Sequence, residues 1–199
     1  MAFEVLLIHD HGATLVPDPA ARRLLLGGIM DILPILDRAI DVERGAGEIY
    51  ERIAARFPED RRFADFWLGM ADDERQHAHK LSVWRTLLEL LPGSRRPMAD
   101  GFERGLLELE NLVREAGKKA AAVATPDEAF AIALELEESE LDVIYTTLIQ
   151  SSPLKRFPDI EDTRRRELGR HHAALAREVR RRSRDQKNLL QAELITAAG

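Results

Sequence analysis

The run Ala71-Asp72-Asp73-Glu74-Arg75-Gln76-His77 places an acid and an imidazole three residues apart, in the middle of an otherwise apolar helix face. That face reads Phe63, Trp67, Met70, Glu74, His77, Leu81, Trp84, Leu88, Leu91, with steps of three or four throughout. Such steps return to one side of an α-helix. Glu74 and His77 therefore stand where the pattern calls for core hydrophobes. A carboxylate buried without a partner is costly. A metal ion is one such partner, and Glu-x-x-His on a helix presents two ligands to a single ion.

Outward from this run, a preceding helix is predicted from about Asp31 to Phe57, with the stripe Leu36, Ala39, Glu43, Ala46, Tyr50, Ile53, Phe57. Pro58 and Asp60 mark a tight turn, with Asp60 as N-cap of the helix that carries Glu74. That second helix runs to about Leu91, where Pro92-Gly93 stops it. So short a loop makes the two helices antiparallel neighbours. Residues 93–125 form a long connection holding a shorter helix, Phe102 to about Ala122, with Leu106, Leu107, Leu109, Leu112 and Val113. Thr125-Pro126-Asp127-Glu128 is then a strong helix start: a threonine cap, proline at the first position and a glutamate closing a capping box. The third long helix carries Ala131, Leu134, Glu138, Leu141, Tyr145 and Leu148, and breaks at Ser151-Ser152-Pro153. A fourth runs from about Asp159 to Arg184 with Leu168, His171, Leu175 and Val179 inward.

The two hairpins echo each other. Glu43-x-x-Ala46-x-x-x-Tyr50 and Glu138-x-x-Leu141-x-x-x-Tyr145 share one spacing, and Phe57-Pro58 recurs as Phe157-Pro158. The expected fold is all-α: an antiparallel four-helix bundle over residues 32–186 with a long crossover (93–125) between its second and third helices. Residues 1–31 form an N-terminal arm, in which Phe3 to Ile8 reads as a strand or packing arm and His9-Asp10-His11 as a solvated turn rather than a metal site. Residues 187–199 form a tail that continues helical or frays.

Composition narrows the function. The chain has 199 residues, 45% hydrophobic and 32% charged, and no cysteine. Thiolate sites, iron–sulfur clusters and disulfides are thereby excluded, and nitrogen and oxygen ligands remain. A net charge of −6 does not favour a nucleic-acid partner. The arginines at 164–166, 177, 180–182 and 184 read as the wet face of the fourth helix, or as a docking surface for an acidic partner. No segment reaches the ~18 apolar residues of a membrane span. The start of the chain lacks a basic leader and meets charge at once, so the expected location is cytoplasmic. Apolar residues near 24–36 and the amphipathic crossover helix leave room for a homodimer.

Every predicted long helix points a metal-ligating group inward: Glu43, Glu74 with His77, Glu138, and His171 with Glu167 one turn before it. The four glutamates carry four negative charges, which two divalent ions cancel. Hard carboxylates with imidazole suit iron or manganese. Glu138 competes with Glu135, Glu137 and Glu140 in an acidic run, and is preferred because it falls between Leu134 and Leu141, with Glu135 in reserve. On the fourth helix, carrying the first hairpin's spacing forward chooses His172 and puts Gly169 where the glutamate belongs. Glu167 with His171 continues the apolar stripe instead, four residues apart on one face. Tyr50 and Tyr145 also read as plain core aromatics.

On these motifs the chain resembles the ferritin-like diiron-carboxylate proteins, most closely the rubrerythrin branch, over roughly residues 32–182. The resemblance implies that Glu43 and Glu138 are terminal ligands, that Glu74 and Glu167 bridge two iron ions (or manganese), and that His77 and His171 cap one metal each. Tyr50 and Tyr145 would be hydrogen-bond partners of the ligands. It implies an oxidoreductase that oxidises Fe²⁺ or reduces peroxide or O₂. The branch's cysteine-ligated rubredoxin module is missing, so turnover would draw electrons from a separate donor protein. Two other readings stand beside it: a ferritin-like bundle with a degenerate site used in interaction or stress binding, and a diiron oxygenase acting on an apolar substrate.

Overall fold

The computed structural model describes residues 32–90, 102–140 and 158–198. All regular structure among them is α-helical: α1 Ile32–Arg56, α2 Arg61–Leu90, α3 Phe102–Ala120, α4 Pro126–Glu140, α5 Pro158–Arg182 and α6 Gln186–Ala198. The Phe3–Ile8 segment, His9-Asp10-His11, the Pro92-Gly93 stop, Tyr145 and the Ser151–Pro153 break lie outside the described residues.

Helix starts follow the caps read from the sequence. Asp60 Oδ1 accepts the Phe63 N–H at 3.1 Å and so opens α2. At α4 the capping box is closed in both directions. The Glu128 N–H donates to Thr125 Oγ1 at 3.2 Å, and the Thr125 N–H to Glu128 Oε2 at 3.0 Å. Each cap satisfies backbone donors that an α-helix leaves unpaired in its first turn. Downstream of α5 the chain turns at Ser183–Asp185, and Asp185 Oδ1 accepts the Lys187 N–H at 2.8 Å to start α6. Residues 186–198 are thus a packed helix, with Asn188, Ala192 and Ile195 buried against the rest.

Helices α1 and α2 run antiparallel along their length. Asp37 pairs with Arg85 near one end of the hairpin, and Glu51 pairs with Arg75 further along. Gly47 makes this close approach feasible: a Cβ there would stand 3.3 Å from the Ala71 carbonyl oxygen and 3.5 Å from Glu74 Cβ. A helical glycine costs about 1 kcal/mol relative to alanine, so its use here exchanges local propensity for contact between backbones. Gly47→Leu is expected to destabilise the chain by about 1–3 kcal/mol through overpacking and to displace Glu74, whereas Gly47→Ala stays near neutral. Thermal melts of both variants check this.

Helix α3 lies on α1, tied by the Arg38–Glu110 pair at 2.6 and 2.8 Å. Helix α5 runs antiparallel to α4 and to α2: Ser183 bonds Asp127 and His171 bonds Glu137, while His171 meets Asp73 and Lys80 meets Glu167.

The interior falls into two apolar clusters. One is aromatic, built on Tyr50, Phe63, Trp67 and Phe130 with α4, α5 and α6 around it. The other is aliphatic, built on Ile35, Leu36, Leu81, Leu88, Leu106 and Leu109. Along α1 the clusters occupy 49–54 and 32–42, and along α2 63–71 and 78–88, so Glu43, Glu74 and His77 fall in the gap between them.

Candidate metal centre

The gap is filled by ionisable side chains from four helices. Glu43 (α1), Glu74 (α2), Glu137 (α4), and His171 and His172 (α5) are all buried, and His77 (α2) is 9% exposed. Two groups have ligand atoms all within 4.8 Å of one another: Glu43, Glu74 and His77, and Glu74, Glu137 and His171. Glu74 belongs to both. Its Oε2 is 2.9 Å from His77 Nδ1, and its Oε1 is 3.1 Å from His171 Nε2. Glu43 Oε2 stands 3.6 Å from His77 Nδ1 on the first side. On the second, Glu137 Oε1 is 2.9 Å from His171 Nε2, and Oε2 is 3.2 Å from His172 Nε2.

Neighbouring side chains hold these groups in place. The Tyr50 hydroxyl donates to Glu137 Oε1 at 2.6 Å, and the Tyr50 ring stacks on Trp67 at 5.6 Å. Asp73, on the half-exposed side of α2, faces His171 Nδ1 at 3.1 Å. An Nδ1–H donated to Asp73 leaves the Nε2 lone pair of a neutral His171 aimed at Glu74 and Glu137. A carboxylate behind an imidazole orients metal-binding histidines in this way.

The electrostatics describe a cluster neutralised by protons. Burial pushes the Glu43 carboxyl up, to about 7, against the opposing pull of His77. Burial acts the same way on Glu74, but hydrogen bonds with His171 and His77 outweigh it and hold the group below its ordinary value. For Glu137 burial is again opposed, by the charge of His171 and by its hydrogen bond, and the group lies well below the usual carboxylate range. Burial disfavours a charged His77, yet hydrogen bonds with Glu43 and Glu74 raise it to about 10. His171 is also raised well above its ordinary value: burial works against the charge, and Glu137 and Asp73 overcome it. Two imidazolium protons thus stand where cations would balance the acids.

Of the residues expected from the sequence, Glu43, Glu74, His77 and His171 come together, with Tyr50 beside them. Glu138 does not join them. It is exposed and accepts from Gln191 Nε2 at 3.3 Å, while Glu137 takes the inward place. The cause is the phase of α4. Residues 129, 130, 132, 133, 134 and 136 are all buried, so the helix is apolar nearly all round. Phe130 sets the rotation by packing on Phe63 and Trp67. Glu137 lies seven residues after Phe130, two turns on along the same face, a spacing that pointed to it. Ala131 and the reserve Glu135 are exposed with Glu138. Glu167 is also away from the cluster: it pairs with Lys80 and its side chain is 24% exposed. The cation that captures it sits on another helix. Sequence reasoning missed Asp73 as well, because it lies off the apolar stripe of α2.

The donor set fits divalent metal ions. Glu74 Oε1 and both ring nitrogens of His172 are buried without a well-aligned hydrogen bond, and Glu74 Oε1 is held only by the nearby charge of His171 Nε2 at 3.1 Å. A buried carboxylate oxygen so poorly satisfied is a natural ligand for a cation. Carboxylate and imidazole without thiolate suit iron, manganese or zinc. No helix among the described residues is long and apolar enough to cross a membrane. No family model, curated protein or solved structure matches the chain, so the chemistry is read from its own side chains.

Proposed function

We propose that the chain is a ferritin-like antiparallel bundle of α1, α2, α4 and α5, with α3 in the crossover. It holds two divalent metal ions, iron by preference, and works as a rubrerythrin-like oxidoreductase. The observation that carries this reading is the Glu74 carboxylate, which turns one oxygen to each half of the cluster and so fits a bridge between two ions. Glu43 and His77 complete one half, and Glu137 and His171 the other. When bound, a pair of ferrous ions supplies one electron from each for the two-electron reduction of hydrogen peroxide to water.

The chain's own residues account for the rest. Tyr50 fixes Glu137 through its hydroxyl, and Asp73 holds the Nδ1 proton of His171, so that Nε2 faces inward. The aromatic and aliphatic clusters on either side exclude water from the acids, which strengthens every charge interaction between them. For repeated turnover a separate donor protein returns the electrons.

The test is anaerobic reconstitution with Fe²⁺. Close to two irons per chain are expected, followed by rapid oxidation on adding one equivalent of peroxide, read as a near-ultraviolet charge-transfer band. Binding below one iron per chain rejects the proposal. A second reading, a ferritin-like bundle with a degenerate site used in interaction, draws on the Lys80–Glu167 pair, which leaves three carboxylates at the cluster rather than four. It gains if iron fails to raise the melting temperature.

A further inference from the structure

The outer side of α5 carries a charge pattern that the metal centre does not use. Between residues 164 and 184 the sequence holds nine arginines, no lysine and two glutamates, Glu167 and Glu178, in a chain whose net charge is −6. Arg166, Arg170, Arg177, Arg180 and Arg181 recur at helical spacing on one side of α5, all exposed, and Arg184 follows just past its end. His171, His172, Leu175 and Val179 hold the buried side. The two sides lie opposite each other, so the arginines stand roughly one helix diameter (10–12 Å) from the acids that His171 faces. Neighbouring acids leave this face charged. Glu167 turns to Lys80 and comes only to 3.9 Å from Arg170. Glu178 is buried and binds Arg181 and Arg182. The guanidinium groups of Arg177, Arg180 and Arg184 make no hydrogen bond or ion pair with any described residue. Like charges three or four residues apart destabilise a helix, and an anionic surface laid against them offsets that cost.

We propose that this arginine face docks an acidic one-electron carrier protein, the donor that turnover at the metal centre requires. This rests on the two-metal reading above and deepens it, because it assigns the donor a surface and a chemistry. Arginine suits the role: its planar fork pairs with a carboxylate through two hydrogen bonds, where lysine offers a point charge. The row from Arg166 to Arg181 spans about 22 Å at 1.5 Å per residue, which fits one side of the small interfaces typical of electron-transfer encounters. A nucleic-acid strand would run past so short a row onto the surface that holds the chain's acidic surplus. Each docking passes one electron inward, converting one Fe³⁺ to Fe²⁺ and oxidising one carrier. Two dockings return the two electrons that peroxide removes.

The experiment has two readouts. Fluorescent poly-glutamate mixed with the metal-free full chain reports the surface alone. The iron-loaded chain, oxidised by one equivalent of peroxide, is then re-reduced by reduced plant-type ferredoxin, an acidic carrier, and followed by loss of the near-ultraviolet band. Binding and rate should each fall at least about tenfold between about 20 and 200 mM salt, as electrostatically steered association does. Arg177→Glu combined with Arg180→Glu and Arg184→Glu should weaken both about tenfold or more at low salt. Its iron content should not change, nor its reduction by dithionite, a small reductant that needs no docking surface. Glutamine at the three positions serves if the glutamate variant fails to fold. Equal poly-glutamate binding and equal ferredoxin rates in parent and variant overturn the docking face, and leave the two-metal reading standing while dithionite still reduces two irons. Tighter binding of single-stranded DNA or of anionic vesicles than of poly-glutamate at about 150 mM salt overturns the protein partner. A parent chain that takes up less than one iron overturns the two-metal reading and the carrier role with it, while the poly-glutamate result still decides whether the face binds acidic protein.

Discussion

Replacing Glu74 by alanine is expected to empty both halves of the centre at once. Every other candidate ligand belongs to one group only: Glu43 and His77 to the first, Glu137 and His171 to the second. Glu74 belongs to both, with Oε2 2.9 Å from His77 and Oε1 3.1 Å from His171. Loss of Glu43 or of His171 should therefore remove one ion, and loss of Glu74 both. Metal content after equilibration with Fe²⁺ separates these outcomes. The affinity loss at each position should exceed about 100-fold, the upper range for removing a group that merely supports a ligand. The metal-free variant should also be less stable, by about 3 kcal/mol, because removing one member of a buried ion pair leaves the other under-compensated. His77 and His171 have ring centroids 5.6 Å apart and would face each other without their shared anion. Glu74→Gln keeps the shape and tests whether charge or packing is responsible. A Glu74→Ala chain that retained one full equivalent of iron would sink the bridging role.

The second large effect is on thermal stability and its pH dependence. A ligand at 100 times its dissociation constant stabilises the native state by about 2.7 kcal/mol per site. Two sites give about 5 kcal/mol. For a chain of this size each kcal/mol raises the melting temperature by about 2–4 °C, so saturating Fe²⁺ should raise it by about 10–20 °C, and a chelator should reverse the gain.

The metal-free chain should respond to pH in a definite order. Glu74 and Glu137 are depressed in the folded state, so their contribution is present above the unfolded value near 4.5 and is lost on acidification through their folded values. Glu43 is raised from 4.5 to about 7, so folding favours its protonated form and loses that support between those values. His77 is raised from 6.5 to about 10, and its support is complete below 6.5 and disappears as pH climbs through 10. His171 is raised well above 6.5 and acts in the same direction. Metal-free stability should therefore peak near pH 5 and decline toward pH 10. Ions compete with protons for the same nitrogens and oxygens, so the increment given by metal should grow over the range where the metal-free chain weakens. Melting curves from pH 4 to 10, with and without Fe²⁺ under nitrogen, measure both slopes. A metal-free chain most stable at pH 9 would contradict the protonated cluster.

Much of this architecture was legible in the residues, for local reasons. Asp60, Thr125 and Glu128 carry helix starts in their own side chains, and the caps form as read. The inward turn of Glu43, Glu74 and His77 was legible because α1 and α2 are long and have one clean apolar stripe each. Helix α4 is short and apolar on most sides, so its rotation was decided by tertiary packing of Phe130 and not by periodicity; Glu137 and Glu138 exchanged places accordingly. Glu167 illustrates a different limit. Its capture by Lys80 depends on how α2 and α5 lie side by side, which spacing along one helix does not encode.

The layered interior has a consequence for how the molecule comes apart. Along α1 and α2 its oily portions are separated by a seam of acids and imidazoles, and Leu112 and Val113 of α3 are the side chains that pack against both. Stripping metal and titrating the histidines should loosen that seam before either portion melts. Amide exchange would then show the ends of α1 and α2 protected in two blocks, with residues around Glu43 and Glu74 exchanging early. On the proposed two-ion reading, bound ions should tie that seam, and the chain should then unfold as one piece.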